Sequence, residues 1–126
     1  MRTTFAAVLS VAAVMVTASV MAEGAEARGE RLFNQQCKAC HTLEKDGASP
    51  AGPNLHGLFG RKAGSGGGFA SSDAMKTSGI AWDDKVLADY LKDPKAKVPG
   101  TKMVYIGLKQ EAQQQDMIAF LKKATQ

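Results

Sequence analysis

The stretch Cys37-Lys-Ala-Cys-His41 constrains this chain more than any other part of its sequence. Its two thiols are three positions apart, so both can add to vinyl groups of the same porphyrin, and the His41 imidazole follows at once. The order C-x-x-C-H is the signature for covalent attachment of a c-type haem. The sequence therefore predicts one haem, held by thioethers from Cys37 and Cys40, with His41 as the proximal iron ligand.

Two other uses of paired cysteines fit the surrounding sequence less well. A thioredoxin-like redox pair usually follows a strand and opens a helix, whereas residues 26–36 have a helical pattern. A zinc site usually needs a second ligand pair, and the two histidines lack that spacing. A haem-free thiol–disulfide oxidoreductase remains one alternative hypothesis.

The first 22 residues have the pattern of a secretory signal peptide. Arg2 is the sole charged residue before Glu23, residues 5–20 are small and apolar, and Val20-Met21-Ala22 resembles a cleavage site. We expect removal of residues 1–22, export to a periplasm, and one domain over residues 23–126. The alternative is an uncleaved membrane anchor, because the uncharged run over residues 3–22 is nearly long enough to span a bilayer.

The charge balance favours a protein partner over nucleic acid. The formal net charge is +4, a mild basic excess that suits a partner with an acidic docking face. No basic run with interleaved aromatic residues is present, which argues against nucleic-acid binding. No surplus apolar face is evident, so we expect a monomer.

Hydrophobic periodicity predicts an all-α domain with about four short helices and long loops around the haem. Gly29 in the first helix is costly, by about 1 kcal/mol relative to alanine, so it predicts close approach by another element. The glycine-rich stretch 42–68 shows no period, as expected for a loop wrapped round a cofactor. The expected helices are Glu26–Gln36, a short one through Met75–Ser78 capped by Ser71 or Ser72, one from Asp83 or Asp84 that ends at Pro94, and Glu111–Lys123.

The second axial ligand is less certain from residue positions. Of six methionines, three lie in the leader, and Met75 and Met117 lie on predicted helices, where core packing is their simplest role. Met103 follows the Pro99-Gly100 turn on an irregular segment and is the preferred thioether ligand. His56 is the other candidate, although a lone loop histidine is more often a surface residue.

The chain resembles the class I c-type cytochromes, in particular mitochondrial cytochrome c and the bacterial periplasmic cytochrome c2 group. The resemblance covers essentially all of residues 23–126, the expected cytochrome c domain. It depends on five motifs in the family's order: CKACHTLEK, GPNLHGLFGRKAG, GIAWDD, YLKDPKAKVPGTKM and DMIAFLKKAT.

The resemblance implies specific roles around one haem. Met103 would be the distal iron ligand opposite His41, and the Pro53 carbonyl would accept the other ring N–H of His41. Arg61 and Trp82 would lie near the inner haem propionate, and Tyr90 near the Met103 sulfur. The basic residues that would dock partners are Arg31, Lys95, Lys102 and Lys109.

Five positions depart from the family's usual pattern. Ser71 occupies a position where a propionate-binding tyrosine is frequent, and Met75 replaces a common asparagine near the haem. Tyr105 occupies the place of a phenylalanine that covers the exposed haem edge, and Gln36 and Pro50 occupy positions where lysine is common. These departures leave the expected ligands intact and affect the potential and partner affinity.

The expected function is one-electron transfer rather than catalysis. By resemblance, the protein would accept an electron from a cytochrome bc complex and pass it to a terminal oxidase or a photosynthetic reaction centre. The alternative is a haem protein with an open distal site and peroxidase or gas-binding activity. A six-coordinate iron leaves no position for a substrate and disfavours that alternative.

Overall fold

The computed structural model describes residues 23–48 and 51–126, so the expected leader and its cleavage site lie outside the described residues. The all-α class predicted from the sequence is confirmed. A bridge between Lys62 and Ala81 is the sole β-pairing in the described parts. Those parts contain five helices: α1 (Ala25–Gln36), α2 (Asp73–Lys76), α3 (Asp84–Lys92), α4 (Pro94–Lys97) and α5 (Glu111–Ala124).

None of these five helices combines the length and apolar character that a bilayer-spanning helix requires.

Helices α1 and α5 cross at Gly29. A Cβ atom on Gly29 would lie 2.0 Å from the backbone oxygen of Asp116 and 2.7 Å from the Cβ of Phe120. The rings of Phe33 and Phe120 lie beside this crossing, with centroids 5.5 Å apart. The close approach predicted from Gly29 is therefore present, and it explains why a residue unfavourable in helices occupies the middle of α1.

Two buried polar side chains on α5 were not foreseen from its apolar pattern. The Asp116 carboxylate accepts two hydrogen bonds from Arg28 on α1, from Nε and Nη2, each 2.8 Å long. The Gln114 amide donates to the backbone oxygen of Leu108 at 2.7 Å. Because each buried polar group has a partner, α5 can bury them together with Met117, Ile118 and Leu121.

Helix α3 begins and ends close to the predicted positions. The Asp83 side chain caps it by accepting from the Val86 N–H at 2.8 Å. Pro94 follows its end, as predicted, but also opens the one-turn helix α4, whose first positions need no N–H donor. Helix α4 is the one helix that the sequence analysis did not predict, because a single turn is too short to give a periodic pattern.

The loop region packs against α2 through glycines with positive φ. Ser72 caps α2 by accepting from the Met75 N–H at 3.1 Å, so this helix begins earlier than the predicted Met75–Ser78. Gly64 has a φ of +78°, and a Cβ there would lie 2.7 Å from the Cα of Lys76. The glycine-rich stretch thus folds closely onto α2.

Candidate haem-binding site

One cavity of about 310 Å³ joins the predicted site residues. Its volume lies in the range of about 300–1,000 Å³ that is usual for ligand and cofactor sites. Its walls come from α1, α2, α3, α5, the loop after His41, and an extended segment over residues 101–105. The predicted haem-site residues that line it are Cys37, Cys40, His41, Pro53, Arg61, Trp82, Tyr90 and Met103.

The two cysteines lie on a tight turn at the end of α1. The N–H of Cys37 donates to the Phe33 oxygen at 2.9 Å, and the N–H groups of Cys40 and His41 both donate to the Cys37 oxygen at 3.0 Å. The turn brings both thiols and the imidazole to the same wall of the cavity. Because these three residues follow one another on a single turn, two thiols for haem attachment and one nitrogen ligand lie on the same side of the cavity.

The Cys37 thiol has the wrong acidity for a redox nucleophile. Burial, with a smaller contribution from the neighbouring Cys40, raises the pKa of the Cys37 thiol to about 11. Thiol–disulfide exchange needs a thiolate, and catalytic C-x-x-C motifs lower the pKa of their nucleophile. The thioredoxin-like alternative is therefore disfavoured by the environment of Cys37 as well as by the helix before it.

The His41 imidazole is held in a form suited to binding a metal. Its Nδ1 lies 2.8 Å from the backbone oxygen of Pro53. A carbonyl oxygen only accepts hydrogen bonds, so Nδ1 carries the proton and Nε2 keeps its lone pair. Burial lowers the pKa of His41, which favours the neutral ring, although the hydrogen bond to Pro53 opposes this.

Gly52 sets the position of that ring and was missed in the sequence analysis. A Cβ on Gly52 would lie 2.7 Å from Cε1 of His41 and 3.0 Å from Nδ1. A side chain here would push the imidazole away from the Pro53 carbonyl. The glycine directly before Pro53 was the available signal.

Met103 is linked to Tyr90 through Thr101. The Tyr90 hydroxyl and Thr101 Oγ1 are 2.7 Å apart, and Thr101 Oγ1 also accepts from the Met103 N–H at 3.3 Å. Burial raises the pKa of the Tyr90 phenol, and the Thr101 contact opposes this. Thr101 is a second residue that sequence reasoning missed; only its place between the Pro99-Gly100 turn and Met103 pointed to it.

The cavity wall alone does not single out Met103. Met75 and Met117 line the same cavity, and Met117 is packed in the core with 1% of its surface exposed. Met103 differs because it lies on an extended segment outside the helices. His56, the other candidate, is not among the described residues that line the cavity.

Arg61 has a buried polar atom without a partner. Its two terminal nitrogens donate to the backbone oxygens of His56 and Asn54, each at 3.1 Å. Its Nε is buried and has no hydrogen-bond partner within residues 23–48 and 51–126. Burial lowers the pKa of Arg61, but a guanidinium stays charged at neutral pH. An unpaired cationic donor in a cavity wall suits an anionic ligand group.

Trp82 and Tyr90 form an aromatic wall next to Arg61. Their ring centroids are 5.1 Å apart, and both side chains are buried. The backbone N–H of Trp82 donates to the backbone oxygen of Arg61 at 3.0 Å, which ties the two predicted propionate neighbours together. Ser71 and Met75, two of the departures from the family pattern, also line the cavity.

The four expected docking residues have different surroundings. The Arg31 guanidinium is paired with Glu23, and the Lys109 ammonium donates to the Lys92 oxygen at 2.8 Å. The Lys102 ammonium donates to the Ala70 oxygen at 2.7 Å. Lys95 is exposed and makes no hydrogen bond or ion pair within the described chain. Of the four, Lys102 is the one found among the described cavity-lining residues.

The donor set fits a haem better than a metal ion bound by protein alone. No group of three or more His, Cys, Asp or Glu side chains that could hold a metal occurs in residues 23–48 and 51–126. The groups present instead suit a large apolar macrocycle that carries an iron and has an acidic edge. They are one imidazole, a nearby thioether, two thiols on one turn and an unpaired cationic donor.

The fold and cavity therefore define an all-α protein with a c-type haem site, and comparison with known proteins agrees. The family model of cytochrome c matches residues 26–125. A cytochrome c of Theileria parva is 50% identical over 106 residues, which cover 84% of this chain and 91% of the relative. A cytochrome c of Gibberella zeae is 50% identical over 105 residues, covering 83% and 99%, and one of Arabidopsis thaliana is 44% identical over 111 residues, covering 88% and 99%.

The chain belongs to the cytochrome c family. Its cofactor is accordingly a covalently attached haem c with iron, as the C-x-x-C-H motif predicts, and its class of function is electron transfer with redox partners. The predicted periplasmic location is wrong. The relatives are eukaryotic cytochromes c, which lie in the mitochondrial intermembrane space, and the apolar leader had suggested bacterial export.

Proposed function

We propose that this chain is a single-electron carrier in which His41 and Met103 are the two axial ligands of the haem iron. The observation that carries the proposal is that one cavity joins Cys37, Cys40 and His41 to Met103, 62 positions further along the chain. When bound, the haem supplies an iron centre that gains and loses one electron.

The chain's first task is to keep both ligands in place. The Pro53 carbonyl orients the His41 ring, and such a contact fixes the tautomer and raises the basicity of the ligating nitrogen. On the other side, Thr101 and Tyr90 hold the backbone at Met103. Ligands held in both oxidation states limit structural change, which favours fast transfer over substrate binding.

The second task is to exclude water. Five buried apolar or aromatic side chains line the cavity: Trp82, Leu87, Tyr90, Leu91 and Leu121. Apolar surroundings disfavour the more highly charged oxidised centre, so they raise the reduction potential. The Arg61 Nε would offset the charge of a haem propionate at the polar edge.

The proposed partners are a cytochrome bc complex as donor and a terminal oxidase as acceptor. Docking would use basic side chains near the cavity mouth, with Lys102 on the wall itself and the exposed Lys95 further away. Turnover with an oxidase should then fall as added salt shortens the Debye length from about 30 Å to about 3 Å. A flat salt response would reject electrostatic docking.

We further propose that residues 23–126 form the haem-binding domain and that residues 1–22 are a leader removed after Ala22. Mass spectrometry of the protein purified from its native cell tests this proposal. A mature chain that begins at Glu23 supports it, and an intact Met1 or another start rejects it.

The ligand assignment is tested by replacing Met103 with alanine in the holoprotein. We expect Met103→Ala to lose the weak far-red Met–iron absorption band and to lower the reduction potential. The matched control is Met75→Leu, which alters another methionine on the same cavity and should keep the band. Retention of the band in Met103→Ala, or its loss in Met75→Leu, would contradict the assignment.

A further inference from the structure

Residues 102–107, named the strap here, cover one side of the haem cavity without backbone support. The backbone hydrogen bonds on either side run from Thr101 N–H to the Val98 oxygen and from Leu108 N–H to the Leu91 oxygen. Between these points, the strap forms no backbone–backbone hydrogen bond with any described residue. Side chains must therefore hold it against the protein.

The strap lies outside the helices, and its residues alternate in exposure. Met103 and Tyr105 are half-buried and line the cavity, whereas the side chains between and after them face solvent. Val104 is 94% exposed and Ile106 is 86% exposed. Met103 and Tyr105 therefore lie on the cavity side of the same short segment, so opening of the strap displaces both.

Each end of the strap has its own attachment. At the start, the Lys102 ammonium donates to the Ala70 oxygen at 2.7 Å. At the end, Gly107 lies so close to α3 that a Cβ would be 2.2 Å from the Lys92 oxygen. Met103 directly follows Lys102, the attachment at the start of the strap. Tyr105 is the half-buried residue between Met103 and Gly107, the attachment at its end.

Tyr105 supplies a hydrogen bond across the cavity mouth. Its hydroxyl donates to Oε1 of Gln36 at 2.5 Å. Gln36 is the last residue of α1 and directly precedes Cys37. Both residues line the cavity, so this single hydrogen bond joins the strap to the helix end that carries the haem attachment turn.

We propose that the Tyr105–Gln36 hydrogen bond is a latch that keeps the strap closed and Met103 on the iron. This proposal rests on the proposed function, because it takes Met103 as the distal ligand. Tyr105 is then a positioning residue that acts through Met103. Both members of the pair are among the positions where the sequence analysis expects a departure from the family pattern.

The latch predicts how readily an external ligand displaces Met103. Imidazole binds the oxidised iron only when the strap opens, so its apparent Kd measures the population of open strap. Removing one net hydrogen bond should increase that population about threefold to tenfold. We expect Tyr105→Phe and Gln36→Ala in the holoprotein each to tighten apparent imidazole binding by that factor while the far-red band persists without imidazole.

Three further variants separate a latch from a general loss of stability. Gln36→Glu keeps an acceptor oxygen and should bind imidazole nearly as the unaltered protein does. The double variant should resemble either single variant, because both remove the same interaction. Gln35→Ala changes the exposed neighbour of Gln36 and should have no effect. The denaturant midpoint for loss of helicity should change much less than imidazole affinity.

The outcomes distinguish the latch from the ligand assignment. Imidazole affinity that is unchanged in Tyr105→Phe and Gln36→Ala, with the far-red band present, overturns the latch and leaves Met103 as ligand. Additive effects in the double variant also overturn it. Absence of the far-red band from the unaltered holoprotein overturns the ligand assignment and the latch together.

Discussion

The α1–α5 crossing and the strap are held together in different ways. At the crossing, α1 and α5 pack around Gly29, and Arg28 pairs with Asp116. The strap has no backbone–backbone hydrogen bond with the described residues and depends on side chains from Lys102 and Tyr105. The crossing therefore has helix packing of its own, whereas the strap depends on a few side-chain contacts and on the haem that it covers.

The largest expected effect is on haem attachment. In Cys37→Ala/Cys40→Ala, both thioethers are lost, and a cavity of about 310 Å³ has to be kept without its covalent ligand. Without haem, the apolar walls of this cavity are exposed to water, and the fold loses the burial of those side chains. We expect the haem-free chain to be largely unfolded by circular dichroism.

Hydrogen exchange on that haem-free chain sharpens the comparison. Any residual protection should lie in α1 and α5, not in the strap. Protection in residues 101–108 equal to that in the two helices would show that the strap does not depend on the haem.

The next largest effect is expected at the crossing. Gly29→Ala places a Cβ 2.0 Å from the Asp116 oxygen, so the helices must separate. Overpacking of this kind costs about 3 kcal/mol. Guanidinium unfolding measures the loss, and Gly24→Ala is the control, because a Cβ there meets nothing within 4 Å and its φ of −70° suits alanine. Equal stability of the two variants would refute tight packing at Gly29.

A smaller effect is expected where the strap meets α3. Gly107 has a φ of +113°, and a Cβ would lie 2.2 Å from the Lys92 oxygen, so Gly107→Ala should cost about 2 kcal/mol and weaken the far-red band. Gly79→Ala is the control: its φ of +71° is also positive, but nothing lies within 4 Å. It should cost about 1 kcal/mol from backbone strain alone and leave the band intact. If the far-red band weakens equally in Gly107→Ala and Gly79→Ala, close packing of Gly107 against α3 is not what supports Met103.

The smallest effect is a pH dependence at the crossing. Hydrogen bonds from Arg28 lower the pKa of the Asp116 carboxyl below its ordinary value of 3.8, although burial opposes this. Because the pKa of Asp116 is lower in the folded state than in the unfolded state, its carboxylate stabilises the fold at pH values above the unfolded-state pKa. That stabilisation is lost as the pH falls through the folded-state pKa. Asp116→Asn should therefore be less stable than the unaltered protein at pH 7. The difference in urea midpoint should shrink below about pH 4; a constant difference down to pH 2 would exclude charge pairing as its source.

The helices and the cofactor could be predicted from the sequence because each leaves a recognisable pattern in a short stretch of the chain. The C-x-x-C-H motif specifies haem attachment within five residues, and Gly29 signalled the helix crossing from a single unfavourable position. Capping residues placed the start of α3 to within one residue. Each of these signals depends on neighbours in the chain.

The contacts that hold the strap left no local signal. Tyr105 and Gln36 are 69 positions apart, and Lys102 and Ala70 are 32 apart. A single sequence shows neither pair, because the partners meet only after the chain has folded. The contacts of Arg31 with Glu23 and of Lys109 with the Lys92 oxygen were likewise invisible in the sequence, and the docking role of both residues stays a prediction. The predicted location was wrong for another reason. An apolar leader indicates only that a chain is targeted for transport, and the compartment was inferred from the relatives.

The most direct test is the visible spectrum of the purified holoprotein, taken oxidised and reduced, together with a pyridine haemochrome assay. Covalent haem c with a sharp low-spin reduced spectrum and a far-red band in the oxidised state is the expected result for a cavity that binds haem between His41 and Met103. Covalent haem with a high-spin spectrum and no far-red band would contradict Met103 ligation. Absence of covalent haem from a protein made with active haem-attachment machinery would contradict the role assigned to Cys37, Cys40 and the cavity.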